Sequence, residues 1–356
     1  MGPQHPSTHG VLRIILELDG EYIITAEPVL GYIHRMHEKM GENRPYPRFI
    51  ANMSRLDYVG PMLYNHLFTA AVEKLSGIEV PPRAEHVRII TAELSRVASH
   101  LLWMGAFLMD LGAFTPILYT FDDREAILDL LESVCGARIT FSYFRFGGVC
   151  NDISADFIEG TRAFIKLLRT RFPMYEKLVT KNIIFEKRVK DIGVITPEMA
   201  RLYGVTGPAL RASGISYDVR KNEPYSIYPE FEFEIPCGEN GDCFDRYIVR
   251  MLEMEQSLRI IEQALDKIPD GPVMAKHAPL KLHPAPGETY FTVESARGEA
   301  GLLLISDGSD TPYRLKLRTP GFSNLSVLEE LAKGILLSDL VAIMGSLDLV
   351  IPEIDR

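Results

Sequence analysis

Five long segments of this chain repeat apolar side chains at three- and four-residue intervals, and that periodicity commits most of it to helices. The segments are residues 60–76, 84–111, 122–135, 155–180 and 242–268. Pro81-Pro82 separates the first two, and proline suits a helix start. Gly136, Gly147-Gly148 and Asp270-Gly271-Pro272 mark breaks. Residues 11–28 alternate instead between apolar and polar and break at Asp19-Gly20, which predicts a β-hairpin. Residues 288–319 return to strand-like alternation, with turns at Arg297-Gly298-Glu299 and Asp307-Gly308. Two short helices are expected near 325–334 and 337–345. Residues 207–240 are rich in Gly, Pro and aromatics, and read as ordered irregular structure packed on the bundle. The fold class is α+β and mainly helical. We expect a single domain over 1–356, with a hairpin region 1–28, a helical bundle 29–270 and a C-terminal β/α region 288–356.

The charge balance excludes some partners. The net charge of −10 gives no basic footprint for nucleic acid. No Lys/Arg run suits anionic lipid. Leu101–Met109 is stopped by Asp110, and Gly334–Ile351 is broken by Asp339 and Asp348. Neither supplies the roughly 18–20 apolar residues of a membrane span. No basic region followed by an apolar stretch opens the chain, so a cytoplasmic location is expected. The four cysteines, Cys135, Cys150, Cys237 and Cys243, form no CxxC pair. An iron–sulfur or structural zinc site wants closer and more numerous ligands, so they read as buried or incidental thiols. There is no GxGxxG after a strand, no Walker-type loop and no GxSxG elbow, so the chain is not expected to bind NADH itself.

Three clusters carry chemistry and leave alternatives open. Gly2–Gly10 packs His5 and His9 into a loop that Pro3 and Pro6 keep non-helical. Such histidines either deliver protons near neutral pH or are merely solvated. His34 and His37 share a face if 34–39 is helical; a metal pair would need a third ligand, and an amphipathic helix explains the run as well. Asp110 interrupts an apolar helix, at an exposed edge or buried and paired. Trp103 reads as core.

The run Met1–Leu12, MGPQHPSTHGVL, resembles the opening of the hydrogenase-like, quinone-site subunit in the complex I family. So do Gly31–Arg35 with Glu38-Lys39, Arg55–Tyr58, Glu93–Leu101, Arg145–Val149, Leu210–Gly214, Tyr217–Lys221, Glu294–Glu299 and Ser346–Asp348 resemble its later motifs. These motifs span the chain in the family's order. The family is similar in fold to the large subunit of nickel–iron hydrogenases, a helical bundle with small terminal β elements. There, two CxxC pairs hold the metals. The corresponding segments here, Arg55–Gly60 and around Val350 and Glu353, contain no cysteine, so no metal of the chain's own is expected.

The resemblance implies a subunit of a proton-pumping NADH–quinone oxidoreductase with no independent activity. It implies a peripheral position on the cytoplasmic face of the cell membrane, and other peripheral-arm and membrane-arm subunits as partners. With the small iron–sulfur hydrogenase-like subunit it would form the site where quinone is reduced by the partner's terminal [4Fe–4S] cluster. Carried over by position, His9 and Tyr58 are donors to the two quinone carbonyls, Asp110 is the partner of His9, and Arg55 lies close to the cluster. A carboxylate beside His9 would favour its imidazolium form and orient it. His5 is expected to be structural. The same subunit in a ferredoxin- or F420H2-driven relative is the alternative.

Two departures stand out. Thr140 replaces a histidine that bonds to the terminal cluster in many members, which should make the cluster's potential less dependent on pH. Met36 replaces a glycine usual after His-Arg.

Overall fold

The computed structural model describes residues 1–2, 11–276 and 281–356. It opens on a hairpin of β1 (Arg13–Asp19) and β2 (Tyr22–Val29). Asp19 pairs with Tyr22, so the loop is Gly20-Glu21, one residue later than the Asp-Gly signal suggests. Gly20 sits at φ +62°, which glycine adopts without a steric penalty.

Among the described residues, eleven α-helices follow. They are α1 (His37–Glu42), α2 (Tyr46–Met53), α3 (Pro61–Ser76), α4 (Pro82–Asp110), α5 (Thr115–Cys135), α6 (Ala155–Tyr175), α7 (Ile183–Val189), α8 (Pro197–Leu202), α9 (Pro208–Ala212), α10 (Val219–Asn222) and α11 (Cys243–Lys267). Two short strands, β3 (Phe144–Arg145) and β4 (Gly148–Val149), pair between α5 and α6. The long helices keep close to the boundaries that periodicity predicts, because their ends carry the expected stops. Pro61 and Pro82 sit in first turns, and Gly77 and Gly136 close α3 and α5 at φ +64° and +72°. The Ser154 and Asp242 side chains cap α6 and α11 by accepting from the Phe157 and Asp245 amides. Pro173 lies inside α6, and a π-helical turn, Glu176–Thr180, follows directly.

The meander β5 (Gly287–Ser295), β6 (Gly298–Ser306), β7 (Arg314–Arg318) is antiparallel in that order. The chain ends in α12 (Pro320–Ser326), α13 (Leu328–Leu331), α14 (Leu337–Leu347) and α15 (Ile351–Asp355). The single helix expected at 325–334 is therefore two shorter ones beginning at Pro320, and α15 is an addition to the expected elements. Elements of four or five residues hold barely one turn, too little for periodicity to register.

The expected helix over 34–39 is also corrected. Met36 adopts the left-handed conformation, φ +53°, and α1 begins only at His37. His34 lies before that reversal, with Nδ1 2.6 Å from the Asp355 carbonyl oxygen, while His37 is buried. The two share no helical face and form no metal pair. The cysteines divide: Cys243 is buried, Cys135 half-buried, Cys150 and Cys237 exposed, and all four are free.

The centre of the bundle is α4, packed against α3, α5, α11 and α14. It is enclosed on nearly every side, and its buried residues include charged ones. Arg88 donates to both Glu73 oxygens at 2.6 and 2.9 Å. Glu93 accepts from Arg96, Arg220, Tyr228 and Ser257. Burial alone would raise the Glu93 carboxyl, but Arg96 and Arg220 hold it down to about 2. The core is thus an apolar shell around a fixed ionic lattice. Breaking one partner of such a pair leaves an uncompensated charge in a medium that cannot solvate it.

Candidate functional site

The turn between α2 and α3, residues 54–60, separates two neighbouring side chains onto opposite sides. Asp57 is fully buried and Tyr58 is 38% exposed. Asp57 Oδ1 accepts from the Val59 and Gly60 amides at 3.1 and 3.0 Å, which closes the turn. Its Oδ2 accepts from Arg297 Nη1 at 2.7 Å. The turn is anchored at its start, where Ser54 Oγ donates to the Phe141 carbonyl at 2.6 Å and Asn65 Nδ2 donates to Ser54 Oγ at 2.7 Å.

Arg297 comes from the two-residue β5–β6 turn. That turn is pressed against the loop before α9: a Cβ on Gly298 would stand 2.6 Å from the Gly207 nitrogen, and Gly298 holds φ +131°. Only glycine fits both demands. Arg297 also donates to Ser99 Oγ at 3.2 Å and lies 3.6 Å from Asp348. Burial works against its charge, but Asp348 and Asp57 more than offset that and hold its pKa up. Glu353 on α15 accepts from the Tyr64 hydroxyl at 2.6 Å and the Gly321 amide at 2.8 Å. Burial, opposed by Arg297 and reinforced by the Asp57 charge, pushes the Glu353 carboxyl up to about 8. Partial burial also raises the Tyr58 phenol; Arg297 pulls it down, and Asp57 and Asp348 push it up.

Segments 55–60 and 348–353, nearly 300 residues apart, are therefore joined through Arg297. They are the two segments where the hydrogenase resemblance puts metal-binding cysteines. Here they carry carboxylates and no thiolate, a donor set that does not suit nickel and iron. Among the described residues, no group of three or more His, Cys, Asp or Glu is arranged to hold a metal ion.

Asp110 is half-buried at the end of α4, with its carboxylate beside Gly345 of α14. Trp103 Nε1 donates to the Gly345 carbonyl at 2.7 Å, and Trp103 is core as expected. Asp348 ends the same helix and bears electrostatically on Tyr58, so the C-terminal turn of α14 is common ground for Asp110 and Tyr58. His9 and His5 lie outside the described residues. Arg55, in the turn after α2, is exposed and donates back to the Ala51 carbonyl in the last turns of that helix. Thr140 stands next to Phe141, the residue bonded to Ser54, and so neighbours the Tyr58 turn.

A family model described as the 49 Kd subunit of respiratory-chain NADH dehydrogenase matches residues 110–285 and 277–356. The chain belongs to this family. Among its relatives, proteins named as NADH-quinone oxidoreductase subunits from Syntrophobacter fumaroxidans and Desulfotalea psychrophila are each 60% identical over the whole chain, which covers 95% and 96% of their lengths. The protein of the same name from Clostridium beijerinckii is 48% identical over 355 residues and is covered to 96%.

Sequence reasoning about this 49 Kd-type chain missed the group behind Tyr58: Asp57, Tyr64, Arg297, Asp348 and Glu353. The signal was present, since Asp57, Arg297 and Asp348 all lie inside motifs that carry the family resemblance. What was lacking was any reason to pair them across the chain. Among the described residues, no helix is long and apolar enough to cross a membrane.

Proposed function

We propose that this chain is the quinone-site subunit of a proton-pumping NADH–quinone oxidoreductase, and that Tyr58 and His9 donate to the two carbonyl oxygens of the quinone head group. Asp110 is then the carboxylate that favours and orients a charged His9. The observation that carries this reading is Tyr58 itself: a phenol more than a third exposed, fixed by a turn whose other face is a buried ion pair. Such a donor is rigid yet reachable, which is what positioning catalysis needs.

Two-electron reduction of a quinone creates negative oxygens that take up two protons. A hydroxyl and an imidazole aimed at those oxygens stabilise the developing charge and supply the protons. The electrons come from the [4Fe–4S] cluster of the small iron–sulfur subunit, which would cover Tyr58 and close the site. Arg55, exposed at the same turn, faces that partner, and its fixed charge would raise the cluster's potential. Other peripheral-arm and membrane-arm subunits complete the assembly on the cytoplasmic face of the membrane. The chain contributes no activity alone. Its relatives are named for NADH and quinone, which does not favour the ferredoxin- or F420H2-driven alternative.

The test is a quinone analogue carrying a photoreactive head group, applied to the intact complex. Labelling of the peptide containing Tyr58, suppressed by excess quinone, is the expected result. Labelling confined to other subunits would refute the assignment.

A further inference from the structure

Behind the Asp57–Arg297 pair, five buried polar side chains crowd together without meeting one another's hydrogen-bonding capacity. They are His100 on α4, Arg250 and Glu253 on α11, Arg297 in the β5–β6 turn, and Asp348 after α14. His100 Nε2 lies 3.3 Å from Glu253 Oε2, close but misaligned for a hydrogen bond. Arg250 spends one amino group on the Arg246 and Ser346 carbonyls, both at 2.9 Å, and its guanidinium lies 4.4 Å from the Trp103 ring centre.

Seven atoms remain without a hydrogen-bond partner among the described residues. They are both ring nitrogens of His100, Nε and Nη2 of Arg250, Oε2 of Glu253, Nε of Arg297 and Oδ2 of Asp348. Buried polar atoms are almost always paired with protein or with ordered water. Each unpaired one is costly, and more so when it belongs to a charged group. An internal water needs two to four polar partners within reach. Donors and acceptors gathered from three helices and a turn meet that need; scattered single atoms would not.

We propose that this cluster encloses ordered internal water, and that the water passes protons between His100 and Asp348, the carboxylate whose charge reaches Tyr58. The second half rests on the quinone-site reading. When the Tyr58 oxygen gives its proton to the reduced quinone oxygen, a proton from water beside Asp348 replaces it. The hydrogen-bonded chain shifts by one proton, and His100 is recharged from solvent. The two electrons arrive one at a time from the partner's cluster, and His9 supplies the second proton, so two electrons and two protons make the quinol.

The side chains suit these parts. A neutral imidazole has one donor and one acceptor nitrogen, so it can take a proton on one side and release it on the other. Burial, only partly opposed by Glu253, keeps His100 below its ordinary pKa and hence neutral. The arginines cannot release a proton; they orient the water oxygens.

Two measurements on the intact complex decide the matter. A structure that resolves water should show ordered molecules within hydrogen-bond distance of a His100 ring nitrogen, Arg250 Nη2 and Asp348 Oδ2. A dry cluster, or these atoms paired directly with one another, overturns the proposal. Kinetically, His100→Gln keeps a hydrogen-bonding side chain but loses the titratable one. NADH should still reduce the partner's cluster at the normal rate. Quinone turnover should fall at least tenfold, with a larger solvent deuterium isotope effect. His100→Asn serves if the Gln variant does not assemble. Unchanged turnover and isotope effect overturn the proton route. Tyr58→Phe, run alongside, separates the two readings: if it slows turnover and the His100 variants do not, only the route fails.

Discussion

Arg297 and Asp57 are 240 residues apart in the chain, yet their side chains meet at 2.7 Å with essentially no solvent contact. The pair ties the turn that presents Tyr58 to the C-terminal sheet and, through Asp348, to the end of α14. Such a bond stabilises only while both partners are present. Removing Arg297 leaves the Asp57 carboxylate buried without its cation.

Replacing Arg297 with Met should therefore destabilise the folded subunit by about 3–5 kcal/mol. The double variant Arg297→Met with Asp57→Asn should recover part of that loss, because Asp57 is then no longer a lone charge; recovery stays partial because the buried Asp348 still loses Arg297. Chemical denaturation of the assembled complex, or the fraction assembled in cells, reports both effects. Equal loss in the single and double variants would show that the ion pair is not what holds the turn.

Glu353 predicts a pH dependence. Its carboxyl is raised to about 8 in the folded chain, by burial first and by the Asp57 charge against the pull of Arg297. The unfolded group releases its proton at an ordinary carboxylate pKa, near 4.5. Between these values the folded state holds a proton that the unfolded state does not. This contribution is thus fully present below pH 4.5, declines as pH rises, and is gone above about 8. Glu353→Gln cannot lose a proton, so its stability relative to wild type should grow steadily from about pH 5 to 8. Parallel stability curves for the two proteins across that range would contradict the assignment.

Met36 occupies the left-handed region at φ +53° and is mostly exposed, so its cost is conformational rather than a close contact. A side chain there costs about 1–2 kcal/mol that glycine avoids. Met36→Gly should raise the unfolding free energy by roughly 1 kcal/mol, less the extra freedom glycine brings to the unfolded chain. A loss of stability measured by denaturant titration would mean that packing of the methionine outweighs its strain.

Thr140, at φ +51°, is a β-branched residue in a conformation that histidine tolerates better. Thr140→His should relieve strain and, on the quinone-site reading, place a titratable donor near the partner's cluster. The midpoint potential of that cluster, followed by EPR redox titration at several pH values, should then acquire a pH dependence that the natural protein lacks. Two variants with the same flat profile would remove Thr140 from the cluster's surroundings.

The long helices were legible in the sequence because each carries several turns of repeating apolar positions and a chemical stop such as Gly77 or Gly136. The corners were not. Met36 reverses the chain inside an apparently helical run, and α15 is too short to leave a period. At the candidate site, Asp110 stood out first as a carboxylate breaking an apolar helix and Tyr58 through resemblance, and the burial that gives each its character was not visible in either. Asp57, Arg297 and Glu353 could be read as letters, but their meeting depends on a glycine-permitted contact between two distant turns. No local pattern encodes a pairing of that kind. His100 and Glu253 were hidden in the same way, on two helices whose buried faces carry charge.

Tyr58 as a proton-donating contact to quinone is the claim on which the rest depends most directly. In the intact complex, Tyr58→Phe removes one hydroxyl from a partly exposed ring and leaves the Asp57–Arg297 pair untouched. NADH oxidation with a water-soluble artificial acceptor that bypasses this site should continue at the normal rate, while quinone turnover should fall by about tenfold or more. Full quinone turnover in that variant would contradict the account.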